Sequence, residues 1–111
     1  MNRLSIVIVS FNARADLVHC LLSLKKNPPS MDHEIVVVDN DSTDGSAEAA
    51  RKIPGVAVVR MGRNAGFSAA NNAGIRQSSG ALLLLLNSDT LVPPGAVDAL
   101  IARLRAIPTA A

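Results

Sequence analysis

Four short polar clusters hold most of the residues in this chain that could do chemistry: Ser10-Phe11-Asn12, Asp39-Asn40-Asp41, Gly62-Arg63-Asn64 and Asn87-Ser88-Asp89. They supply carboxylates (Asp39, Asp41, Asp89), amides (Asn12, Asn40, Asn64, Asn87) and one guanidinium, Arg63. Amides and carboxylates suit hydrogen bonds to a base and a ribose, and an arginine suits phosphate. A carboxylate beside a diphosphate suits Mg²⁺ or Mn²⁺, hard cations that take oxygen ligands and often keep substrate phosphates among them. Any one cluster also reads as ordinary turn and cap chemistry, because Asp, Asn, Ser and Gly are the common residues of turns. The coincidence of four is harder to dismiss, since each follows a short apolar run and one fold would gather them on one edge.

The runs are Leu4 to Val9, Glu34 to Val38, Val56 to Arg60 and the leucine stretch that opens Ala81 to Val92, ALLLLLNSDTLV. Each reads as a strand, the last as one buried on both faces, bounded by Gly80 and a polar triplet. Between them lie helical patterns. Leu17, Cys20, Leu21 and Leu24 recur at three and four, Lys25 and Lys26 complement the dipole, and Asn27-Pro28-Pro29 breaks the helix. Ser42 or Thr43 would cap a second helix carrying Ala47, Ala49, Ala50 and Ile53, with Pro54-Gly55 ending it. Asp44 reads as a helix-start residue rather than a ligand contact. A third helix runs from about Phe67 to Gln77, with Phe67, Ala70, Ala73 and Ile75 as core contacts. A fourth has Pro93 and Pro94 in its first turn, Ala96, Val97, Leu100, Ile101 and Leu104 as its apolar face, and Pro108 as its end. This β-α-β-α-β-α-β-α order predicts an α/β fold: a parallel sheet with helices on both faces and ligands beyond the carboxyl ends of the strands.

Composition narrows the function. With 111 residues the chain forms one domain, and at 49% hydrophobic and 18% charged it is globular. Only 2% is aromatic, without Trp or Tyr, which argues against base-stacking nucleic-acid platforms and against sugar-stacking lectin sites. A net charge of +2 is too small for a DNA-binding face, so no nucleic-acid partner is expected. Cys20 is alone, which forbids an internal disulfide and fits a reducing compartment, and on an apolar stripe it reads as core. His19 falls off that stripe, and His33 has no metal-ligand partner at the right spacing, so neither histidine is given a role. Leu4 to Val9 is short for a signal peptide, and no run approaches the length of about 20 residues that spans a bilayer.

No G-x-G-x-x-G follows the first strand, and no G-x-x-x-x-G-K-[ST] is present. Instead VSFN (Val9 to Asn12), VDNDSTDGS (Val38 to Ser46), RNAGFSAANNAG (Arg63 to Gly74) and LNSDT (Leu86 to Thr90) occur in order. In these motifs the chain resembles the N-terminal part of a family 2 glycosyltransferase with a GT-A, Rossmann-like fold, over nearly its whole length. The resemblance implies an inverting transfer from a UDP- or dTDP-sugar to an acceptor hydroxyl on a glycan or a lipid-linked acceptor. It implies that Ser10, Phe11 and Asn12 line the nucleoside pocket, that Asp39 bonds the pyrimidine base and that Asp41 lies near the ribose. Arg63 and Asn64 would sit by the nucleotide, with Asn72 and Gly74 lining the same cleft; Gly66 and Gly74 also read as serving loop geometry and helix packing. Asn87-Ser88-Asp89 corresponds to the family's D-x-D motif, so Asp89 would hold the divalent cation, Mn²⁺ or Mg²⁺. Asn87 stands where an acid is commoner; it can still bond a ribose hydroxyl, with Ser88 beside it, but adds no negative charge. The NSD form is similar to rhamnosyltransferase-like members.

The same resemblance places the catalytic base in a C-terminal acceptor half that residues 1–111 lack. The chain is thus expected to be a truncated, donor-binding part that is inactive alone. Asp98, the only acid after Asp89, reads as lying on a polar helix face and is not assigned as the base. An open edge beside the leucine strand would invite self-association. A cytoplasmic location, peripheral at the inner membrane face, would suit lipid-linked acceptors. The alternative is a non-catalytic nucleotide-binding or assembly module. A receiver-like domain shares the topology, but Met61-Gly62-Arg63 stands where its phosphorylatable Asp would be, and no Lys follows Lys52.

Overall fold

β-Branched and leucine runs form four strands, and the segments between them form four helices. The structure, a computed structural model, describes residues 3–106. The elements are β1 (Leu4–Ser10), α1 (Arg14–Lys26), β2 (His33–Asp39), α2 (Ser46–Arg51), β3 (Val56–Arg60), α3 (Phe67–Gln77), β4 (Leu82–Asn87) and α4 (Ala96–Arg105). The sheet is parallel throughout, in the order β3-β2-β1-β4. The chain steps outward from β1 to β2 to β3, then crosses back to place β4 on the other side of β1. The direction of winding therefore reverses between β1 and β4, and crevices for ligands open at such a point.

Alternation along β1 sorts the core into two layers. Leu4, Ile6 and Ile8, with Ile35 and Val37 of β2, pack against Leu17, Cys20, Leu21 and Leu24 of α1, Ala50 of α2 and Val97 of α4. Val7, Val36 and Val38 face the other way, against Ala70 of α3. Full burial of such a side chain stabilises the fold by about 1.5–3 kcal/mol. Gly74 lets α3 come close: a Cβ there would stand 2.5 Å from Val7 Cγ1 and 2.9 Å from Val38 Cγ2.

Four expectations are corrected by the structure. β4 is an edge strand covered on one face, not buried on both. Leu83 and Leu85 are 47% and 50% exposed, because α3 packs on β1 and β2 and leaves that side of β4 bare. Phe67 and Ile75, read as core contacts of α3, are 62% and 37% exposed. The start of α2 is held by Asp44, whose Oδ1 accepts the Ser46 amide at 3.0 Å and the Ser46 hydroxyl, so neither Ser42 nor Thr43 caps it. Pro93 and Pro94 precede α4 in a turn completed by Gly95 (φ +73°). Pro108 lies outside the described residues.

Candidate functional site

The carboxyl ends of β1 and β2 finish in a rung where Ser10 faces Asp39. Both residues are 1% exposed, and Ser10 Oγ and Asp39 Oδ1 have no hydrogen-bond partner. Asp39 Oδ2 accepts the Ser42 amide at 3.1 Å. An unpartnered buried polar atom costs roughly 1–3 kcal/mol, more for a charged group, a cost that a donor reaching this rung would relieve.

Around it the loops are fixed by their own polar side chains. Asn12 and Asp41 take left-handed backbone (φ +47° and +73°), which Asn and Asp tolerate better than most residues. The Asn12 amide donates to Ser42 Oγ at 2.9 Å, and the Thr43 amide donates to Asn12 Oδ1 at 2.8 Å. Asn12 thus stitches the β1–α1 loop to the β2–α2 loop. Asp44 joins the same two loops, since its Oδ2 accepts the Arg14 amide at 3.0 Å. The Ser46 hydroxyl foremost, helped by the backbone amides of Arg14 and Ser46, holds its carboxyl below the usual range against the opposing effect of burial.

On the other side of the sheet, Asn40 organises the loop that leads into α3. Its Nδ2 donates to Asn64 Oδ1 at 3.0 Å, and its Oδ1 accepts the Ala65 amide at 2.9 Å. Asn64 Oδ1 also takes the Gly66 amide at 3.2 Å. Gly66, at φ +87°, then turns the chain into α3, whose N-terminus carries no side-chain cap. Its first amides are left to the solvent or to an anion.

A cleft of about 440 Å³ opens at the reversal point between β1 and β4, lined by Val9, Phe11, Asp16, Asn40, Phe67, Asn87, Ser88 and Asp89. Of the residues expected from the sequence, the structure brings Phe11, Asn87, Ser88 and Asp89 together here. Ser10 and Asp39 form the neighbouring buried rung, Asn12 and Asn64 hold loops, and Asp41 and Arg63 are exposed on those loops. Asn72 is exposed on α3 and does not line the cleft; its neighbour Asn71 is the buried one, at 8%. Gly74 serves helix packing. A larger groove of about 600 Å³ lies between α1 and α2, but no strand end contributes to it.

Asp89 is exposed at the cleft mouth, and its segment is clamped from below. Ser23 Oγ accepts the Val92 amide at 2.9 Å, while Asn27 Nδ2 donates to the Val92 carbonyl at 2.9 Å. Beneath the same turn lies Cys20, fully buried, with its thiol pushed up to about 11 by burial and then by the Asp89 charge. Such a thiol is inert core, as its place on the apolar stripe indicated. Asp98 is occupied elsewhere: its two oxygens accept the Ser30 amide and hydroxyl at 2.9 and 2.7 Å. Among the described residues no three His, Cys, Asp or Glu side chains converge as a metal cage. A cation at Asp89 would draw its remaining ligands from bound substrate and water, the usual habit of Mg²⁺.

Sequence reasoning missed Asp16 and Phe67 as cleft residues and gave Asn40 no individual role. Asn40 was visible as an amide in a polar cluster. Phe67 was masked by its helical spacing to Ala70, which reads as core.

The model of the family described as Glycosyl transferase family 2 matches residues 5–111. An undecaprenyl-phosphate 4-deoxy-4-formamido-L-arabinose transferase from Pseudomonas paraeruginosa is 39% identical over 106 residues, covering 89% of this chain and 31% of that protein. A dolichol-phosphate mannosyltransferase from Pyrococcus furiosus is 29% identical over 102 residues, covering 89% of this chain and 29% of that one. A mannosyltransferase from Pyrobaculum calidifontis, solved in complex with GDP-Man and Mn²⁺, superposes with a TM-score of 0.84 at 25% identity, over 96% of this chain and 33% of its own. The chain therefore spans about a third of the length of these proteins. No helix among the described residues is long and apolar enough to cross a membrane.

Proposed function

The chain belongs to glycosyl transferase family 2, and from that membership we propose that it is the donor-binding part of an inverting enzyme. That enzyme moves a sugar from a nucleotide-diphosphate sugar to an acceptor hydroxyl. The observation that carries the reading is the pair of unpartnered buried atoms, Ser10 Oγ and Asp39 Oδ1, beside a cleft with Asp89 exposed at its mouth. Asp39 Oδ1 suits an imide N–H of a pyrimidine base, which makes UDP or dTDP the nucleotide of choice. Phe11 and Ser10 border the nucleoside, with Asn12 and Asp41 setting the loops around it. The uncapped start of α3 and the Arg63 guanidinium favour the diphosphate, and Asn64 fixes that loop. Asn87 and Ser88 offer hydrogen bonds to ribose or phosphate oxygens. Asn72, exposed on α3, is given no contact in this reading.

Asp89 would hold a divalent cation together with the diphosphate, and the donor set of one carboxylate plus neighbouring amide and hydroxyl oxygens fits Mg²⁺ or Mn²⁺. When bound, the cation supplies neutralisation of the charge that builds on the leaving diphosphate. The Mn²⁺ bound by the similar mannosyltransferase supports this. In this reading the base that deprotonates the acceptor lies outside residues 1–111, and the engagement of Asp98 by Ser30 supports leaving Asp98 out of that role. The named activities of the relatives on undecaprenyl and dolichol phosphate support a lipid-linked acceptor, met by a cytoplasmic protein at the inner membrane face.

A second reading is a nucleotide-binding module without catalysis. Calorimetric titration with UDP, dTDP and GDP, with and without Mn²⁺, tests the donor site. Binding that needs the metal and is lost in Asp89→Ala is the expected result, and metal-independent binding unaffected by the mutation would sink the assignment of Asp89. Turnover by the isolated chain would overturn the placing of the base elsewhere.

A further inference from the structure

The chain contains two aromatic side chains, Phe11 and Phe67. The structure leaves both out of the core, 47% and 62% exposed, and sets both on the wall of one cleft. Burying a phenylalanine stabilises a fold by about 1.5–3 kcal/mol, and neither ring is used that way. Other large apolar side chains are exposed too, on α1, α3, β4 and α4 and at Leu91 beyond Asp89, but none of them lines this cleft.

The two rings come from different elements. Phe11 follows Ser10 at the end of β1, next to the rung whose unpartnered atoms await a base. Phe67 is the first residue of α3, and the backbone that presents it is held on three sides. Asn40 Oδ1 takes the Ala65 amide at 2.9 Å, Asn64 Oδ1 takes the Gly66 amide at 3.2 Å, and Gly66 sits at φ +87°. The ring is therefore presented from a preorganised loop, which lowers the ordering cost of a contact. The rest of the wall is Val9, Asp16 and Asn40 together with Asn87, Ser88 and Asp89, the last three marking the end where a cation and a diphosphate would lie. The group one bond beyond the second phosphate is the sugar. A pyranose has an apolar face of C–H bonds as well as hydroxyls, and an aromatic ring is the side chain that fits such a face.

We propose that Phe67 stacks on the C–H face of the donor's sugar ring, distinct from Phe11 at the nucleoside end. The inference rests on the nucleotide-sugar reading above, and it adds which part of the donor this residue senses. Phe67 contributes to binding of the nucleotide sugar, while leaving affinity for the bare nucleotide unchanged.

Titration of the wild-type chain and Phe67→Ala with UDP, UDP-glucose, dTDP and dTDP-glucose, each with Mn²⁺, separates the possibilities. The expected result is a loss of roughly tenfold for both nucleotide sugars, as for an aromatic contact of about 1.4 kcal/mol. The two bare nucleotides should keep their affinities, and the exposed ring should leave the thermal midpoint in place. Phe67→Tyr should restore binding. In the complex, nuclear Overhauser contacts should join the Phe67 ring protons to sugar-ring protons, an assignment eased by the absence of Trp and Tyr. Equal losses for nucleotide and nucleotide sugar, or contacts to base protons alone, would overturn the proposal while leaving the donor site intact. Unchanged binding of all four ligands by Phe67→Ala would do the same. A wild-type chain that binds none of them would overturn the donor site and this role together.

Discussion

Ser10 and Asp39 face each other on the last rung between β1 and β2, and each keeps one buried oxygen without a hydrogen-bond partner. An orphaned acceptor beside an orphaned hydroxyl carries a cost, which a ligand or a water donating to Asp39 would relieve, and the cleft bordered by Phe11 and Asp89 lies beside it.

Asp39→Asn therefore separates binding from stability. The amide keeps the shape and can still accept the Ser42 amide, so the thermal midpoint should not fall. The lost charge-assisted bond should weaken UDP binding roughly tenfold or more, the range for hydrogen bonds to charged groups. A variant that binds UDP as well as the wild type would remove Asp39 from the site.

At the opposite edge of the sheet, Glu34 closes a polar network with no part in the cleft. Its Oε2 accepts the Ser5 hydroxyl and the Ser79 amide, both at 2.6 Å, and Ser5 Oγ takes the Gly80 amide at 2.8 Å. Burial alone would raise this carboxyl, but the bonds from Ser5 and Ser79, helped by the Arg3 charge, outweigh it and lower it below its ordinary 4.5. A folded pKa below the unfolded one means stability that is present above the unfolded value and lost as pH falls through the folded value. The difference in thermal midpoint between the wild type and Glu34→Gln should be full at about pH 7 and close toward about pH 3. A gap that stays constant over that range would show that the charge contributes nothing.

How much of this was legible in the sequence follows from what is local and what is not. The alternation of strands and helices, the positions of the loops and the buried role of Cys20 are written in runs and spacings of a few residues. Which helix covers which strand is not. Five consecutive leucines carry no alternation of type, so the bare face of β4 is invisible until α3 is seen to stop at β1. Phe67 has the spacing of a core residue, and only the positive φ at Gly66 and the end of the helix turn it toward the cleft. Asp44 was legible as a helix-start residue and holds the start of α2; Asn12 and Asn64 carry the polar types of a binding site, yet their side chains are spent on neighbouring loops, which a motif does not disclose.

The bare side of β4 gives the last prediction. From Gly80 to Leu86 the strand carries no charge and no proline, the devices by which sheet edges are protected. Leu83 and Leu85 stand open on one face, and Leu100 and Leu104 of α4 are 53% and 42% exposed on the other. Apolar grooves between β4 and α4 share Leu84, Val97 and Leu100 along the edge. A second copy related by a two-fold axis could pair β4 with β4 antiparallel and cover the same leucines in both partners. Sedimentation velocity of this chain should show a dimer whose fraction rises with concentration. Leu85→Lys, which places a charge on the open face, should return it to a monomer with unchanged circular dichroism. A wild-type chain that stays monomeric at all concentrations would show that the bare edge is not self-complementary.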